Sequence, residues 1–378
     1  MGASSAANDA AETAQVDGSM KALVTIRQYL AYIGILVPIT ITRCLPHCVI
    51  RLMARIGGIA MYATPSLRRL VLANIATALP EIPEPERRRI ARESFRHLAL
   101  NMLEFLWVEG IPARVRRCYP PIPPEILDPV IEHRKRGERI IFVTPHLGSW
   151  ECSGLVVPYY AGFRLAAVAK PIRNPFLNRR FTRWREASTG LHVIFSRGAI
   201  RAAIAALRAG ESVGLLTDQN TKGREGGVFL DFFGLPVACT TSPALLKRYC
   251  DAHDIPATII FGCSVREGAE EKLVAYKRIL RKPFSEYADD REVIRELLGY
   301  SEELIRAYPE QYLWLYRRFQ YIPEGTPEEL RRRYPYYATT PRPSFYRRRR
   351  KAEKPDAGDA AIPAETTTSS PTEGDPIS

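Results

Sequence analysis

The stretch Ile140-Ile-Phe-Val-Thr-Pro-His-Leu-Gly-Ser-Trp-Glu151 constrains the fold more than any other part of the chain. It begins as a buried strand, with four apolar residues that are β-branched or aromatic, Arg139 before them and Thr144-Pro145 after. Pro145 has no N–H for a sheet ladder, so the strand ends there. His146 follows at once, then a Gly148-Ser149 turn. Ser149 suits a helix N-cap, which puts Glu151 in the first helical turn. A histidine leaving the C-terminal end of a buried strand, with a carboxylate a helical turn later, suits a base and its orienter. The carboxylate takes one ring N–H, and the other nitrogen is free to accept a proton from a hydroxyl.

Downstream the chain alternates. Strands are expected at Ile140–Val143, Leu165–Ala169, Val193–Phe195, Val213–Leu216 and Ala257–Phe261. Helices are expected between them, at about 151–160, 175–188, 199–208 and 243–252. Such alternation implies an α/β fold with a mostly parallel central sheet flanked by helices, and strand C-terminal ends are where open sheets of this kind place ligands. Upstream, residues 65–119 read as a helical lead-in, with helices over 67–79 and from Glu86 to about Val108. The proline-rich Pro120–Pro129 leads into the core at 120–330, and an amphipathic helix spans about 290–307.

The ends differ in composition. Residues 1–20 are small and polar and read as disordered. Residues 21–64 read as a membrane-anchoring segment. Leu23–Thr42 is mostly apolar but broken by Arg27 and Gln28, which leaves about 14 uninterrupted residues where a simple span needs roughly 17–25. Basic residues follow at Arg43, Arg51 and Arg55, a pattern that favours lying in the interface over a clean crossing. Glu328–Arg333 is expected to end the ordered part, with 331–378 a basic and then low-complexity tail.

Charge narrows the partners. The chain of 378 residues carries 54 basic and 41 acidic side chains, a formal charge of +13, which suits an anionic partner. The seven cysteines are scattered with no Cys-x2-Cys pair, which argues against a zinc site and a disulfide framework and favours a reducing compartment. Phosphate loops, dinucleotide-binding glycine motifs and the Gly-x-Ser-x-Gly elbow are absent. The histidines outside the 140–151 stretch have no metal-ligand spacing. Cys152 beside Glu151 invites a thiol route, but a cysteine there is more often a small buried hydrophobe.

His146-Leu-Gly-Ser-Trp-Glu151 resembles the His-x4-Asp/Glu box of the glycerolipid acyltransferase superfamily, and is closest to the form in the late acyltransferases of lipid A biosynthesis. Pro309-Glu-Gln-Tyr-Leu-Trp-Leu-Tyr-Arg-Arg-Phe319 resembles that family's C-terminal motif, with Tyr316 where many members carry His, so no proton transfer is assigned to it. Ala73-Asn74, Lys170-Pro-Ile-Arg173-Asn174-Pro175, Ile194-Phe-Ser-Arg197-Gly198, Asp218-Gln219 and Phe232-Phe233-Gly234 continue the likeness over roughly residues 65–330.

The resemblance implies a glycerolipid acyltransferase-like fold with N-terminal membrane-associated helices, held at the cytoplasmic face of a bacterial inner membrane. It implies acyl transfer from a thioester to a hydroxyl of a lipid A precursor, with no cofactor and with acyl-carrier protein or coenzyme A as the donor's carrier. His146 is then the general base and Glu151 its orienter. Arg197, Arg185, Arg173 and Lys170 are candidates for the acceptor's phosphate, for which the guanidinium fork suits. Asp218 and Gln219 either form a turn or orient an arginine or the acceptor, and an apolar loop at 232–234 is a candidate acyl-channel lining. The partners implied are anionic membrane lipid, a phosphorylated glycolipid and the acyl donor, without nucleic acid. Two other readings stand beside this one. The acceptor is a phosphatidylinositol mannoside or a lysophospholipid, although the mannoside enzymes usually carry Asp where this chain has Glu151. Otherwise the chain is a non-catalytic, anionic-lipid-binding protein on the same fold.

Overall fold

The computed structural model describes residues 24–108, 114, 121–151, 153–154, 160, 162–169, 171–189, 191–195, 198–268 and 271–347. Its centre is a six-stranded sheet in the order β3-β2-β4-β1-β7-β8. The strands are β1 (Arg139–Thr144), β2 (Leu165–Ala169), β3 (Leu191–Phe195), β4 (Ser212–Leu216), β7 (Ala257–Glu267) and β8 (Lys272–Ile279). The first five run parallel to their neighbours, and β8 closes the edge antiparallel to β7. All five expected strands are therefore present. Ile140, Ile141 and Val143 of the central β1 are fully buried, as expected of a strand covered on both faces.

Helices cover the sheet. The segment expected to anchor the chain provides α2 (His47–Ala63), the lead-in provides α3 (Pro65–Ala78) and α4 (Glu84–Trp107), and the core provides α5 (Pro124–Lys135), α6 (Pro175–Thr189), α7 (Ala199–Arg208), α8 (Ser242–Asp251) and α9 (Asp290–Ala307). Asp289 caps α9 by accepting from the Glu292 N–H at 2.8 Å. Asn174 caps α6 through the N–H groups of Phe176 and Leu177, with Pro175 in the first turn. This gives the Asn-Pro pair a local structural cause.

Two expectations change. Residues 232–234 are not an open loop: Phe232 ends a strand and Phe233-Gly234 form its tight turn. They close a two-stranded antiparallel sheet of β5 (Val228–Phe232) and β6 (Leu235–Cys239), and Phe232 and Phe233 are buried in the main core. Order does not stop near residue 333. The chain packs onward to Arg347, burying Tyr334 and Phe345, and the Tyr334 hydroxyl donates to the Pro236 carbonyl at 2.6 Å. In the apolar N-terminal segment the backbone runs through Arg27 and Gln28 without a break. It is one helix, α1 (Val24–Cys44), long and apolar enough to cross a membrane. Its 21 residues span about 31 Å, close to a bilayer's hydrocarbon core. Leu30, Val37 and Ile41 are among its exposed side chains, so α1 is not a core helix and fits a membrane-associated segment. It leans on the start of α6, where Tyr29 meets the edge of Phe176 and Asn174 donates to the Gln28 carbonyl at 2.7 Å.

Charged and polar groups are also buried under α4. Arg266 pairs with the buried Glu104, which also meets His47 at 2.9 Å. Beside them, burial first and then the Arg96 and Arg266 charges lower the His97 pKa to about 3. His97 is thus neutral in the fold at every pH above that value, whereas its unfolded form takes a proton below about 6.5. Protonation favours the unfolded chain, so this contribution to stability is complete above pH 6.5 and is lost as pH falls towards 3. Chemical denaturation across that window is expected to show a shallower acid loss for His97→Gln than for the parent; parallel curves would contradict this.

Candidate active site

β1 and β4 are parallel neighbours with Thr144 opposite Leu216. Two residues beyond each strand end lie His146 and Asp218, so the register brings them side by side. Asp218 Oδ1 is 2.6 Å from His146 Nδ1, and Oδ2 accepts the His146 backbone N–H at 2.9 Å. One carboxylate thus fixes both the ring and the main chain of the same residue. Burial acts to raise the Asp218 pKa, but the His146 charge, these hydrogen bonds and the Arg318 charge outweigh it, and the carboxyl is held below its ordinary value. An ionised carboxylate only accepts, so Nδ1 carries a proton, and in the neutral form of the ring Nε2 is the acceptor. Gln219 Nε2 lies 3.2 Å from that nitrogen, where a hydroxyl about to lose its proton would stand.

The sequence pairs His146 with Glu151, and here the structure differs. The carboxylate on Nδ1 is Asp218, since strand order places it there. Glu151, in the helical turn that starts at Trp150, instead meets Arg185 of α6 at 2.9 Å. Arg185 also lies over the Phe105 ring, 5.1 Å from its centroid. Of the other expected phosphate ligands, Arg173 is exposed in the turn before α6. Lys170 and Arg197 lie outside the described residues.

The His146 loop is stitched on both sides by main chain. Gly148 N–H donates to the Gln311 carbonyl, Ser149 N–H to the Ser264 carbonyl of β7, and Leu313 N–H to the His146 carbonyl, each at 3.0 Å. Gln311 in turn bonds Arg266 of β7 through both ends of its side-chain amide, at 2.8 Å each. This is the work of the Pro309–Phe319 motif: its backbone holds the histidine loop, and its side chains hold the motif. Asn101 of α4 donates to the Gly148 carbonyl from behind, and Arg266 reaches the Asn101 amide oxygen. Tyr316, which lacks the proton-transfer chemistry of histidine, accepts the Asn220 N–H at 2.9 Å and so braces the Asp218 turn. Arg318 holds the same turn through Asn220 and the Ala238 carbonyl. Tyr312 is buried near Asp218; burial first, and then the Asp218 charge, keeps its hydroxyl protonated.

Sequence reading singled out His146, Asp218 and Gln219 but did not join them. It assigned no role to Asn101, for which an asparagine on a helix gives no signal. Backbone N–H groups after His146 would be natural oxyanion donors. Those of Gly148 and Ser149 are already committed to carbonyls.

A histidine whose Nδ1 is held by a buried carboxylate has, in its neutral form, an acceptor lone pair on Nε2 that can take a proton from a hydroxyl. The family model for bacterial lipid A biosynthesis acyltransferases matches residues 17–321, and the chain belongs to that family. It is an acyltransferase of lipid A biosynthesis. Among its relatives, the lipid A biosynthesis lauroyltransferase of Escherichia coli K12 is 28% identical over 317 residues, 81% of this chain and 96% of that protein. The palmitoleoyltransferase of the same organism is 26% identical over 278 residues, covering 72% and 84%. Its myristoyltransferase is 27% identical over 269 residues, covering 70% and 78%.

Gly148 ties the site to its sequence. Its φ is +61°, and a Cβ there would lie 1.9 Å from the Ser264 carbonyl oxygen. Gly148→Ala is expected to displace the loop, destabilise the fold by about 1–3 kcal/mol and abolish transfer. A variant with the parent's melting temperature and turnover would contradict this account.

Proposed function

We propose that the chain is a membrane-bound O-acyltransferase that moves a fatty acyl group from a thioester to a hydroxyl of a phosphorylated lipid A precursor. The observation that carries the chemistry is the His146–Asp218 contact. His146 Nε2 takes the proton of the acceptor hydroxyl as its oxygen attacks the thioester carbonyl. Asp218 holds the ring and stabilises the imidazolium that forms. The tetrahedral intermediate collapses, the C–S bond breaks, and the imidazolium returns the proton to the departing thiolate. The ester and a free thiol result. As the hydroxyl takes over Nε2, the Gln219 amide is released from it and becomes the oxyanion's nearest side-chain donor.

In this reading Glu151 acts through Arg185. The pair holds a guanidinium at the site's edge for the acceptor's phosphate, to which a bidentate fork is suited. Arg173, Lys170 and Arg197 are the further basic residues proposed to meet phosphate. The donor's carrier is acyl-carrier protein or coenzyme A, both acidic and both attracted to a chain of charge +13. The exposed apolar α1 supports seating in the bacterial inner membrane, with the catalytic domain at the cytoplasmic face where the thioesters are made.

Membranes carrying the chain, given an under-acylated lipid A precursor and either thioester, are expected to add one acyl mass to it. His146→Ala is expected to lower the rate about 10²–10⁴-fold, and Asp218→Asn to fall in the same range through loss of the correct tautomer. Gln219→Ala is expected to cost about 10²-fold in kcat with little change in KM. Glu151→Gln is expected to act chiefly on the KM of the phosphorylated acceptor. No acyl addition by the parent, with a working positive control, would reject the acceptor assignment. A Glu151→Gln loss in kcat larger than that of Asp218→Asn would return the orienting role to Glu151.

A further inference from the structure

A second basic site lies away from His146. A cleft of about 650 Å³ opens between α2, α4 and the β7–β8 turn, lined by Arg51, Arg55, Arg92 and Arg96 with Glu93 and Glu271. Guanidiniums outnumber carboxylates two to one. Both carboxylates are committed: Glu271 takes Arg51 at 2.7 Å and Arg96 at 2.6 Å, and Glu93 takes Arg96 at 2.7 Å. These pairs hold Arg51 and Arg96 in place. Among the described residues, no carboxylate pairs with Arg55 or Arg92, both of which are exposed.

The cleft has a built floor. At Gly58 the α2 backbone comes so close to α4 that a Cβ would sit 2.8 Å from the Arg96 main chain. One wall is apolar. Leu52, Ile56 and Ile59 form an exposed stripe along α2, and Ile59, 70% exposed, lines the cleft itself. The opposite face of α2 is buried through Ile50, Ala54 and Gly58. α2 follows α1 after only Leu45-Pro46, so the helix that carries this stripe starts where the apolar helix ends. An apolar stripe flanked by arginines is the composition of a helix lying at a bilayer surface. The β7–β8 turn is four residues past the Ser264 bridge to Gly148, about 13 Å along β7. Nothing in the transfer chemistry uses these arginines.

We propose that this cleft binds the phosphate of an anionic membrane phospholipid, with the lipid's acyl chains against Leu52, Ile56 and Ile59. This rests on the membrane seating of α1 proposed above, and gives that seating a head-group contact separate from the acceptor site. Arg55 and Arg92 supply the unneutralised charge. Arg51 and Arg96, fixed by Glu271, shape the pocket.

The test uses the full chain in neutral detergent, titrated by calorimetry with dioctanoyl phosphatidic acid, dioctanoyl phosphatidylcholine or inorganic phosphate. Saturable binding of phosphatidic acid is expected, with no binding of phosphatidylcholine and far weaker binding of inorganic phosphate. The double variant Arg55→Gln/Arg92→Gln is expected to weaken phosphatidic acid binding about 30-fold. Should it unfold, Arg55→Gln alone decides the case, with an expected weakening of about fivefold. Arg185→Gln, which removes the guanidinium proposed to hold the acceptor's phosphate, is expected to bind the lipid as the parent does, which separates this site from the acyl-transfer reading. Binding unaffected by the arginine changes would overturn the proposal. So would its loss in Arg185→Gln, which assigns the anion to the transfer site, or equal affinity for inorganic phosphate, which assigns a free anion.

Discussion

The site depends on one contact, the carboxylate of Asp218 against His146. A buried carboxylate is costly unless its oxygens are satisfied, and here both are, by the ring and the main chain of one residue. The contact is a product of the sheet. Parallel strands with matched ends place the residues that follow them side by side, and β1 and β4 end in register. The imidazole is thereby oriented by the most rigid part of the molecule, its central strands, rather than by a loop.

The polar groups around the site have a common purpose, to keep the His146 loop from moving. The loop lies between β7 and the Gln311–Leu313 segment, and its N–H and C=O groups pair on both sides. Asn101, Arg266 and Glu104 form a buried column behind it, satisfied internally and reaching His47 at the start of α2. Buried charges of this kind are tolerated where each has a partner. The column is continuous from the helices next to α1 to the backbone of the active loop.

Much of the fold was legible. Each expected strand exists because short apolar runs bounded by Gly, Pro or charge have few other uses. The histidine site was found by the same logic, as a polar residue ending the best such run. Less legible were β5, β6 and β8. The Phe232-Phe233-Gly234 sequence reads as an apolar loop because its turn interrupts the alternation, and β8 is a half-buried edge strand whose mixture of Lys, Arg and Tyr hides its period. Residues 334–347 look like the start of a basic tail, yet a few aromatic anchors, Tyr334 and Phe345 among them, are enough to dock them.

The local chemistry was determined by sequence alone: a strand ending at Pro145, a base at His146, a turn at Gly148-Ser149, a carboxylate at 151 and another at 218. Each follows from a residue's own conformational limits or ionisable group. Which carboxylate serves the base was decided by tertiary structure. Glu151 is five residues away in sequence and goes to Arg185, whereas Asp218 is 72 residues away and meets the ring. The order of strands in a sheet is set by how helices pack on its faces, a non-local balance that no spacing along the chain encodes.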